Sequence, residues 1–207
     1  MQPCDKINIG NRFKPRPQEA TFMGKQTKIL AIAGSLRKTS YNKALLRTAR
    51  GLMPENTAFE TFDLEGIPPF NQDLEEQPPQ EIIEFKAKIR SADALLIATP
   101  EYNYSIPGVL KNAIDWASRP PRDNVFDRKP VAIMGASTGI IGTARAQYHL
   151  RQCFVFLNMF PINRPEVMIS HVAEKIDQDG TLKDEKAKQL IAQLIKNLIA
   201  WTGKIKE

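Results

Sequence analysis

Short apolar runs alternate along the chain with longer segments whose apolar positions repeat at helical spacing. Three runs are almost continuously apolar: residues 28–34 (KILAIAG), 93–100 (DALLIATP) and 130–137 (PVAIMGAS). Strands of this kind are buried on both faces, which is typical of a parallel sheet. Residues 58–64 (AFETFDL) alternate with period two, which predicts a strand nearer an edge. A last short strand is predicted over 165–170 (PEVMIS).

Helical periodicity fills the segments between and after these strands. In the last helix, Leu190, Leu194 and Leu198 share one apolar face. Regular alternation of strand and helix predicts an α/β fold with helices on both faces of a parallel sheet. Five such units fit a flavodoxin-like three-layer sandwich with a five-stranded sheet in the order 2-1-3-4-5. The predicted helices cover residues 41–53, 80–90, 107–118, 143–158 and 184–202.

Composition and charge narrow the range of partners. The 207 residues are 42% hydrophobic and 25% charged, as in soluble globular proteins. The net charge of +6 could indicate nucleic acid, but no dense basic stripe with interleaved aromatic residues is present. An anionic small ligand is therefore favoured over nucleic acid. No apolar run reaches the roughly 18 residues of a membrane helix, so no membrane partner is expected.

The two cysteines and the N-terminal segment set the expected compartment and domain bounds. Cys4 and Cys153 are expected to be free thiols in a reducing cytosol, which predicts a cytoplasmic protein. No CxxC pair or histidine cluster supports a metal site. Residues 1–26 are polar and contain proline, so they are expected to form a flexible extension, with one domain over 27–207.

Polar loops follow three of the predicted strands at the point where each strand ends. We name them the first loop (34–42), the second loop (100–107) and the third loop (135–143). In open α/β sheets, ligands bind outside the carboxyl ends of the strands, where the strand order reverses. The three loops therefore mark the expected ligand site.

The first loop concentrates donors at a turn from strand to helix. Ser35, Thr39 and Ser40 supply hydroxyls, Asn42 an amide and Arg37 a charge. A helix N-terminus adds unpaired N–H groups and the positive end of the helix dipole, which together suit a terminal phosphate. The loop fits neither GxxxxGK[ST] nor GxGxxG. The alternative is a helix capped by Ser40 among polar neighbours.

The other two loops suit a flat ligand. The second loop (PEYNYSIP) carries two tyrosines between stiffening prolines, which favours a heteroaromatic ring, although a well-packed surface turn is the alternative. The third loop (GASTGIIGT) has glycines at 135, 139 and 142, which let backbone approach a ligand closely. Strand-to-helix turns often contain glycine, so the third loop is informative only together with the other two.

Three segments, GSLRKTSYN, TPEYNYSIPGVLKNAIDWASRP and GASTGIIGTARAQYHLR, resemble the NAD(P)H-dependent FMN reductase family. That family includes flavodoxin-like quinone, chromate and azo-dye reductases. The resemblance runs from about Lys28 to at least Pro165. It departs from the family pattern in the third loop, where Ile141-Gly142 stands in place of paired glycines, and residues 1–26 have no counterpart.

The resemblance implies roles for residues in each loop. Those in the first loop match the family's FMN-phosphate loop, those in the second lie along the isoalloxazine ring and ribityl chain, and those in the third lie near the other edge of the ring. The implied cofactor-binding residues are Ser35, Arg37, Ser40, Tyr41, Asn42, Pro100, Glu101, Tyr102, Asn103, Ser137 and Gly139.

The implied function is an FMN-dependent oxidoreductase. NADPH or NADH would pass hydride through FMN to quinones or other acceptors, including chromate, azo compounds and free flavin, by a ping-pong mechanism with no catalytic side chain. The alternative is a flavodoxin-like electron carrier or redox sensor. A dimer or tetramer is expected, because residues 147–160 (QYHLRQCFVFLNMF) are apolar on more than one face. The family resemblance also implies an oligomer.

Overall fold

The computed structural model describes residues 26–206. The predicted extension over residues 1–26 therefore lies, except for Gln26, outside the described residues. Six strands form the sheet in this part of the chain: β1 (Thr27–Ala33), β2 (Thr57–Phe62), β3 (Ala94–Ala98), β4 (Pro130–Ala136), β5 (Phe160–Pro161) and β6 (Val167–Ile169). The five α-helices are α1 (Tyr41–Gly51), α2 (Gln80–Ser91), α3 (Gly108–Ala117), α4 (Ala144–Phe156) and α5 (Glu185–Lys206).

All strand pairs in the sheet are parallel, and the order is β2-β1-β3-β4-β5, with β6 also paired to β4. This is the doubly wound, flavodoxin-like arrangement, so the predicted fold class is confirmed. The edge position predicted for the second strand is also observed, because among the described strands β2 pairs with β1 alone.

The fifth position of the sheet differs from the prediction of one strand. β5 pairs with Pro130 and Val131 at the start of β4, and β6 pairs with residues 134–136 at its end. Pro161 and Pro165 lack the backbone N–H that a continuous ladder requires. The fifth strand is therefore divided into two short pieces along one neighbour.

Helices cover both faces of the sheet. One apolar core lies between the sheet and helices α1 and α5, and a second lies between the opposite face and helices α2, α3 and α4. Strand β3 is fully buried, as its continuous apolar run predicts. No helix within residues 26–206 is both long and apolar enough to cross a membrane.

Helix termini follow local sequence signals. Ser40 is the N-cap of α1, and its Oγ accepts a hydrogen bond from the Lys43 N–H at 3.3 Å. Pro107 was expected within the first turn of α3 but is the residue before it, and the helix begins at Gly108. Asp184 precedes α5, and its carboxylate accepts a hydrogen bond from the Ala187 N–H at 3.1 Å.

Candidate functional site

The three loops meet at one edge of the sheet, as predicted. The N–H of Gly34 donates to the Ala98 carbonyl at 2.9 Å, which joins the ends of β1 and β3. The N–H of Thr99 donates to the Met134 carbonyl at 3.0 Å, which joins β3 to β4. The carboxyl ends of three adjacent strands therefore bring the first, second and third loops side by side.

The first loop presents a series of unpaired backbone donors. Within residues 26–206, the N–H groups of residues 35–39 and of Tyr41 and Asn42 donate no hydrogen bond to the protein. The last two are the first residues of α1, where an α-helix leaves its N–H groups without internal partners. The loop thus combines free N–H groups with the positive end of the α1 dipole.

The predicted side chains of this loop divide into buried and exposed groups. Ser35 and Ser40 are each only 4% exposed. Arg37 is exposed, donates to the Thr39 hydroxyl at 3.4 Å and lies 5.9 Å from the centre of the half-buried Tyr41 ring. The capping role of Ser40, set out above as the alternative, is present. Its hydroxyl hydrogen is still available to a ligand.

Asn42 has a role within the protein that the sequence did not indicate. Its amide donates to the Ala136 carbonyl at 3.1 Å and accepts from the Ala136 N–H at 3.0 Å. The side chain is buried and both of its polar ends are engaged. Asn42 therefore fastens the start of α1 to the end of β4, and only its backbone N–H is free to meet a ligand.

The second loop turns sharply at its tip. Tyr102 and Ser105 exchange backbone hydrogen bonds of 3.2 and 2.9 Å, and the two residues between them, Asn103 and Tyr104, have φ angles of 49° and 67°. Positive φ at both central positions is the pattern of a type I′ turn. A bulky residue such as Tyr104 rarely adopts this conformation, and such strain concentrates at ligand sites.

Contacts from α4 hold this turn in place. The guanidinium of Arg145 lies 3.6 Å from the centre of the Tyr104 ring, a close cation–π contact. The hydroxyl of Ser105 lies 3.0 Å from His149 Nδ1. Tyr102 and Tyr104 remain 48% and 69% exposed, so both side chains are largely open to solvent.

Glu101 binds the second loop to the start of α4. One carboxylate oxygen accepts hydrogen bonds from the N–H groups of Arg145 and Ala146 at 3.0 and 3.3 Å. The other lies 2.6 Å from Arg145 Nε, an ion pair without well-aligned hydrogen-bond geometry. The Glu101 side chain is 8% exposed. Its carboxylate is thus turned into the protein, whereas the resemblance implied contact with the flavin.

The third loop packs closely at two glycines that were not assigned to the site. A Cβ at Gly135 would lie 2.5 Å from the Thr99 carbonyl oxygen and would collide with the Thr143 side chain. Gly142 has φ of +67°, and a Cβ there would lie 3.0 Å from the Met168 backbone. These two positions require glycine.

The two assigned residues of the third loop have different surroundings. Ser137 donates its N–H to the Ile169 carbonyl at 3.0 Å, and its Oγ accepts from the Gly139 N–H at 3.1 Å. Gly139 is exposed, and a Cβ there would meet nothing closer than Ser137 Oγ at 3.6 Å. Packing against the part of the chain that the structure describes therefore does not require a glycine at 139.

The sequence did not identify Arg145, His149 and Thr143 as site-supporting residues. Arg145 contacts Glu101 and Tyr104, and His149 contacts Ser105. Arg145 and His149 act on the second loop, 44 positions earlier in sequence, whereas Thr143 packs against Gly135 within the third loop itself. Local spacing carries no sign of such contacts.

Cys153 lies on α4 as a free, half-buried thiol. Burial raises its pKa, which keeps the sulfur protonated and unreactive at neutral pH. The other cysteine, Cys4, falls outside the described residues. Cys153 is therefore a free thiol, as expected for it.

Comparisons with known proteins agree with this geometry. Residues 27–174 match the family described as NADPH-dependent FMN reductase. The chain is 52% identical over 185 residues to an NAD(P)H-dependent FMN reductase from Pseudomonas aeruginosa, covering 89% of this chain and 100% of that protein. It is 43% identical over 174 residues to a 2-hydroxy-1,4-benzoquinone reductase from a Burkholderia species, covering 84% and 95%.

A solved structure agrees as well. The flavoenzyme NAD(P)H:(acceptor) oxidoreductase FerB from Paracoccus denitrificans superposes with a TM-score of 0.79 at 35% identity, covering 86% of this chain and 98% of that one. The residues that match the family, 27–174, contain all three loops. This chain belongs to the NADPH-dependent FMN reductase family.

Proposed function

We propose that this protein binds FMN at the three-loop edge, oxidises NAD(P)H and reduces quinones or other soluble electrophilic acceptors. The observation that carries the proposal is the series of unpaired N–H groups at residues 35–39, 41 and 42. Family membership and the quinone reductase named among the relatives support it.

The first loop fits the FMN phosphate. A phosphate monoester has several acceptor oxygens and two negative charges, and the loop offers N–H donors, the Ser40 hydroxyl and the exposed guanidinium of Arg37. Ser35 and Tyr41 complete the cradle. Asn42 shapes it by holding α1 against β4.

The second and third loops fit the flavin ring. Pro100, Tyr102 and Asn103 would lie along the isoalloxazine ring and ribityl chain, with Ser137 and Gly139 at the other ring edge. Glu101 is assigned a positioning role, because its carboxylate is buried against α4. The open face at Gly139 lets a ring approach the backbone directly.

Bound FMN supplies the redox chemistry, accepting hydride from the nicotinamide and delivering electrons to the acceptor. The residues of this chain bind and orient the reactants. The exposed rings of Tyr102 and Tyr104 form one wall of the opening that both substrates enter. Because the substrates share that opening, we propose ping-pong kinetics, with chromate, azo compounds and free flavin as further candidate acceptors.

The phosphate assignment is tested by changing Ser40. Asp is as good an N-cap as Ser, so Ser40→Asp should leave the stability of α1 unchanged. It places a negative charge beside the phosphate, so FMN affinity should fall at least tenfold. FMN binding is measured by fluorescence quenching and stability by chemical unfolding. Unchanged FMN affinity would contradict the assignment.

A second variant removes donors instead of adding charge. Arg37→Ala with Ser40→Ala should also lower FMN affinity roughly tenfold or more, because each lost contact contributes about 1–3 kcal/mol. The matched control is Arg122→Ala with Ser91→Ala, an exposed pair outside the three loops. Equal losses in the two double variants would argue against a phosphate loop at 34–42.

Turnover separates the enzyme from an electron carrier. Carriers of this fold are usually acidic for steering to partners, whereas this chain carries a net charge of +6. Sustained NADPH oxidation with a quinone, giving parallel double-reciprocal lines at several fixed quinone concentrations, is expected. Reduction of bound FMN without turnover would favour the carrier, and intersecting lines would reject the shared opening.

We also propose that the protein is a homo-oligomer, a dimer or a tetramer, that associates through α4. Val155 and Phe156 on this helix are 83% and 84% exposed, and Ile140 in the adjoining third loop is 78% exposed. A surface with such apolar groups is typical of a protein interface. Val155 and Phe156 lie in the last turn of α4, roughly 17 Å along the helix from the third loop, so an interface would reach the flavin site only by running the length of α4 past the exposed Tyr148 to Ile140.

A further inference from the structure

A basic groove lies between α1 and β2, beside the first loop. It has a volume of about 180 Å³ and is lined by Lys43, Arg47 and Arg50 together with Asp63. The three cations occupy positions i, i+4 and i+7 of α1, so they share one face of the helix. The flavin site described above does not use any of these four residues.

The groove carries an excess of positive charge. Lys43 is neutralised by Asp63, whose carboxylate lies 2.7 Å from its Nζ. Arg47 donates only to the Gly180 carbonyl at 3.3 Å, and Arg50 stacks over the Phe59 ring at 5.6 Å. Neither guanidinium forms an ion pair with a carboxylate of residues 26–206. Two full positive charges are thus free to meet an anion.

Asp63 is ionised in this setting. Burial acts to raise its pKa, but the hydrogen bond from Lys43, backbone N–H donors and the charge of Lys43 outweigh burial and hold the pKa below its usual value. The groove therefore presents an anionic acceptor next to two cationic donors. An anion alone would use only the donors, whereas a phosphorylated sugar would use both.

The position of the groove relates it to the flavin site. Ala33 ends β1 and Asp63 follows β2, so the groove opens at the same sheet edge as the three loops. β2 and β3 are separated by β1 alone, which places them two strand spacings, or about 10 Å, apart. The exposed side chains of Arg37 and Lys38 lie on the loop between the groove and the second loop.

The end of the second strand is where βαβ dinucleotide sites read the adenosine ribose. An acidic residue there bonds the ribose hydroxyl of NAD, and a nearby arginine accepts the 2′-phosphate of NADP. This chain has Asp63 at that place, and beside it two arginines that form no ion pair with any carboxylate of the described residues. The similarity to those sites is limited to the position and the charge of these residues. The glycine pattern of those sites is absent from the first loop.

We propose that the groove between α1 and β2 binds the 2′-phosphate of NADPH through Arg47 and Arg50. This inference rests on the proposed NAD(P)H oxidation. Asp63 accepts a hydrogen bond from the ribose 3′-hydroxyl, because the 2′-oxygen carries the phosphate, and Lys38 faces the pyrophosphate as the nucleotide extends toward the second loop. The groove thereby selects NADPH over NADH.

The kinetic test compares the two nucleotides in one variant. Arg47→Ala with Arg50→Ala should raise the KM for NADPH roughly tenfold or more, because charge-assisted contacts to phosphate are lost, and should leave the KM for NADH and the kcat unchanged. Arg122→Ala, an exposed arginine away from the groove, is the matched control and should change neither constant. Equal losses for NADPH and NADH would overturn the proposal.

A binding test does not depend on turnover. Calorimetric titration of the FMN-loaded protein with 2′-AMP, 5′-AMP and inorganic phosphate should show that 2′-AMP binds most tightly, competes with NADPH and is weakened at least tenfold in the double variant. Unchanged 2′-AMP binding in the variant would overturn the proposal. So would phosphate that binds as tightly as 2′-AMP without displacing NADPH, which would indicate an anion site of another origin.

The two tests separate this inference from the proposed function. If neither nucleotide is oxidised, the proposed function fails, and the 2′-AMP titration still decides whether the groove binds a 2′-phosphate. If both nucleotides are oxidised and the double variant changes the KM for NADPH and the KM for NADH equally, only the groove assignment fails. Thermal unfolding of the variant confirms that it is folded.

Discussion

At the scale of single residues, the site depends on groups that never face the ligand opening. Glu101 is the main example, because its carboxylate accepts two backbone N–H groups of α4 and pairs with Arg145. That one side chain fixes the start of α4 and, through Arg145, the strained tyrosine at the tip of the second loop. The shape of the second loop is therefore maintained by the ion pair between Glu101 and Arg145, which does not face the ligand.

Glu101→Gln should weaken both the fold and cofactor binding. The amide still accepts a hydrogen bond, but Arg145 loses its partner charge in a largely enclosed position, which should lower the free energy of unfolding by about 1–3 kcal/mol. FMN affinity should fall as the second loop loosens. Chemical unfolding and FMN titration measure the two effects, with the exposed Glu55→Gln as control.

A compensating change makes this prediction sharper. Adding Arg145→Met to Glu101→Gln removes the unpaired charge, so part of the lost stability should return. FMN affinity should not return, because the contact of Arg145 with Tyr104 is lost as well. Additive stability losses in the double variant would show that the two residues do not act as a pair.

Gly135 and Gly139 of the third loop form a matched pair for a second prediction. Gly135→Ala should lower the free energy of unfolding by about 1–3 kcal/mol or more, because the new methyl group would lie 2.5 Å from the Thr99 carbonyl oxygen. Gly139→Ala should leave stability nearly unchanged, since its nearest neighbour is at 3.6 Å. Urea unfolding of the two variants measures the difference.

Cofactor titration of the same variants tests the ligand side. If the flavin ring approaches the backbone at 139, Gly139→Ala should weaken FMN binding while the protein stays as stable as the parent. Normal FMN affinity in that variant would remove Gly139 from the proposed cofactor site and would leave the stability prediction for Gly135 standing.

At the scale of elements, hydrophobic patterning was sufficient to place the strands and helices. β3 and β4 are fully buried, as their apolar runs predicted, and the three loops meet because parallel strands share a carboxyl edge. The two-residue β5 was missed, since it is too short to show a period and contains a proline. Contacts such as Glu101 with Arg145 span 44 positions, and periodicity carries no sign of them.

The start of α5 gives a pH-dependent prediction. A hydrogen bond from the Ala187 N–H, with Lys175 nearby, outweighs burial and holds the pKa of Asp184 below its usual value of 3.8. A carboxyl whose pKa is lower in the folded state contributes stability above its unfolded pKa, and that contribution is lost as the pH falls through the folded pKa. The capping contribution should therefore be complete at neutral pH and should decline below about pH 4.

Two substitutions distinguish the capping hydrogen bond of Asp184 from the effect of its charge. Asp184→Ala should cost about 1 kcal/mol at pH 7, and its deficit relative to the parent should shrink toward pH 3. Asp184→Asn keeps an acceptor without a titrating group, so its stability should change less across that range. Denaturant unfolding at the two pH values measures this, and a deficit for Asp184→Ala that stays constant with pH would rule out the titrating cap.

At the scale of the whole molecule, one helix has two very different sides. Leu150 and Phe154 of α4 are buried against the sheet, whereas Val155 and Phe156 are more than four-fifths exposed. The sequence showed that residues 147–160 are apolar on more than one face but could not show which side the sheet covers. The fold of the described residues shows which side the sheet covers, and it leaves Val155 and Phe156 exposed at the end of α4 farthest from the third loop.

The oligomer prediction follows from that exposed side. Phe156→Glu places a charge where the proposed partner would pack, and desolvating a charge in an apolar contact is costly, so association should be lost. Light scattering at micromolar concentration should give a multiple of 23.3 kDa for the parent and 23.3 kDa for the variant. The control is Leu190→Glu, since Leu190 is 42% exposed on α5, away from α4.

A parent of 23.3 kDa, or a Phe156→Glu variant that keeps the parent's mass, would refute association through α4. If the interface runs the length of α4 to the flavin site, the monomeric variant should also bind FMN less tightly than the Leu190→Glu protein.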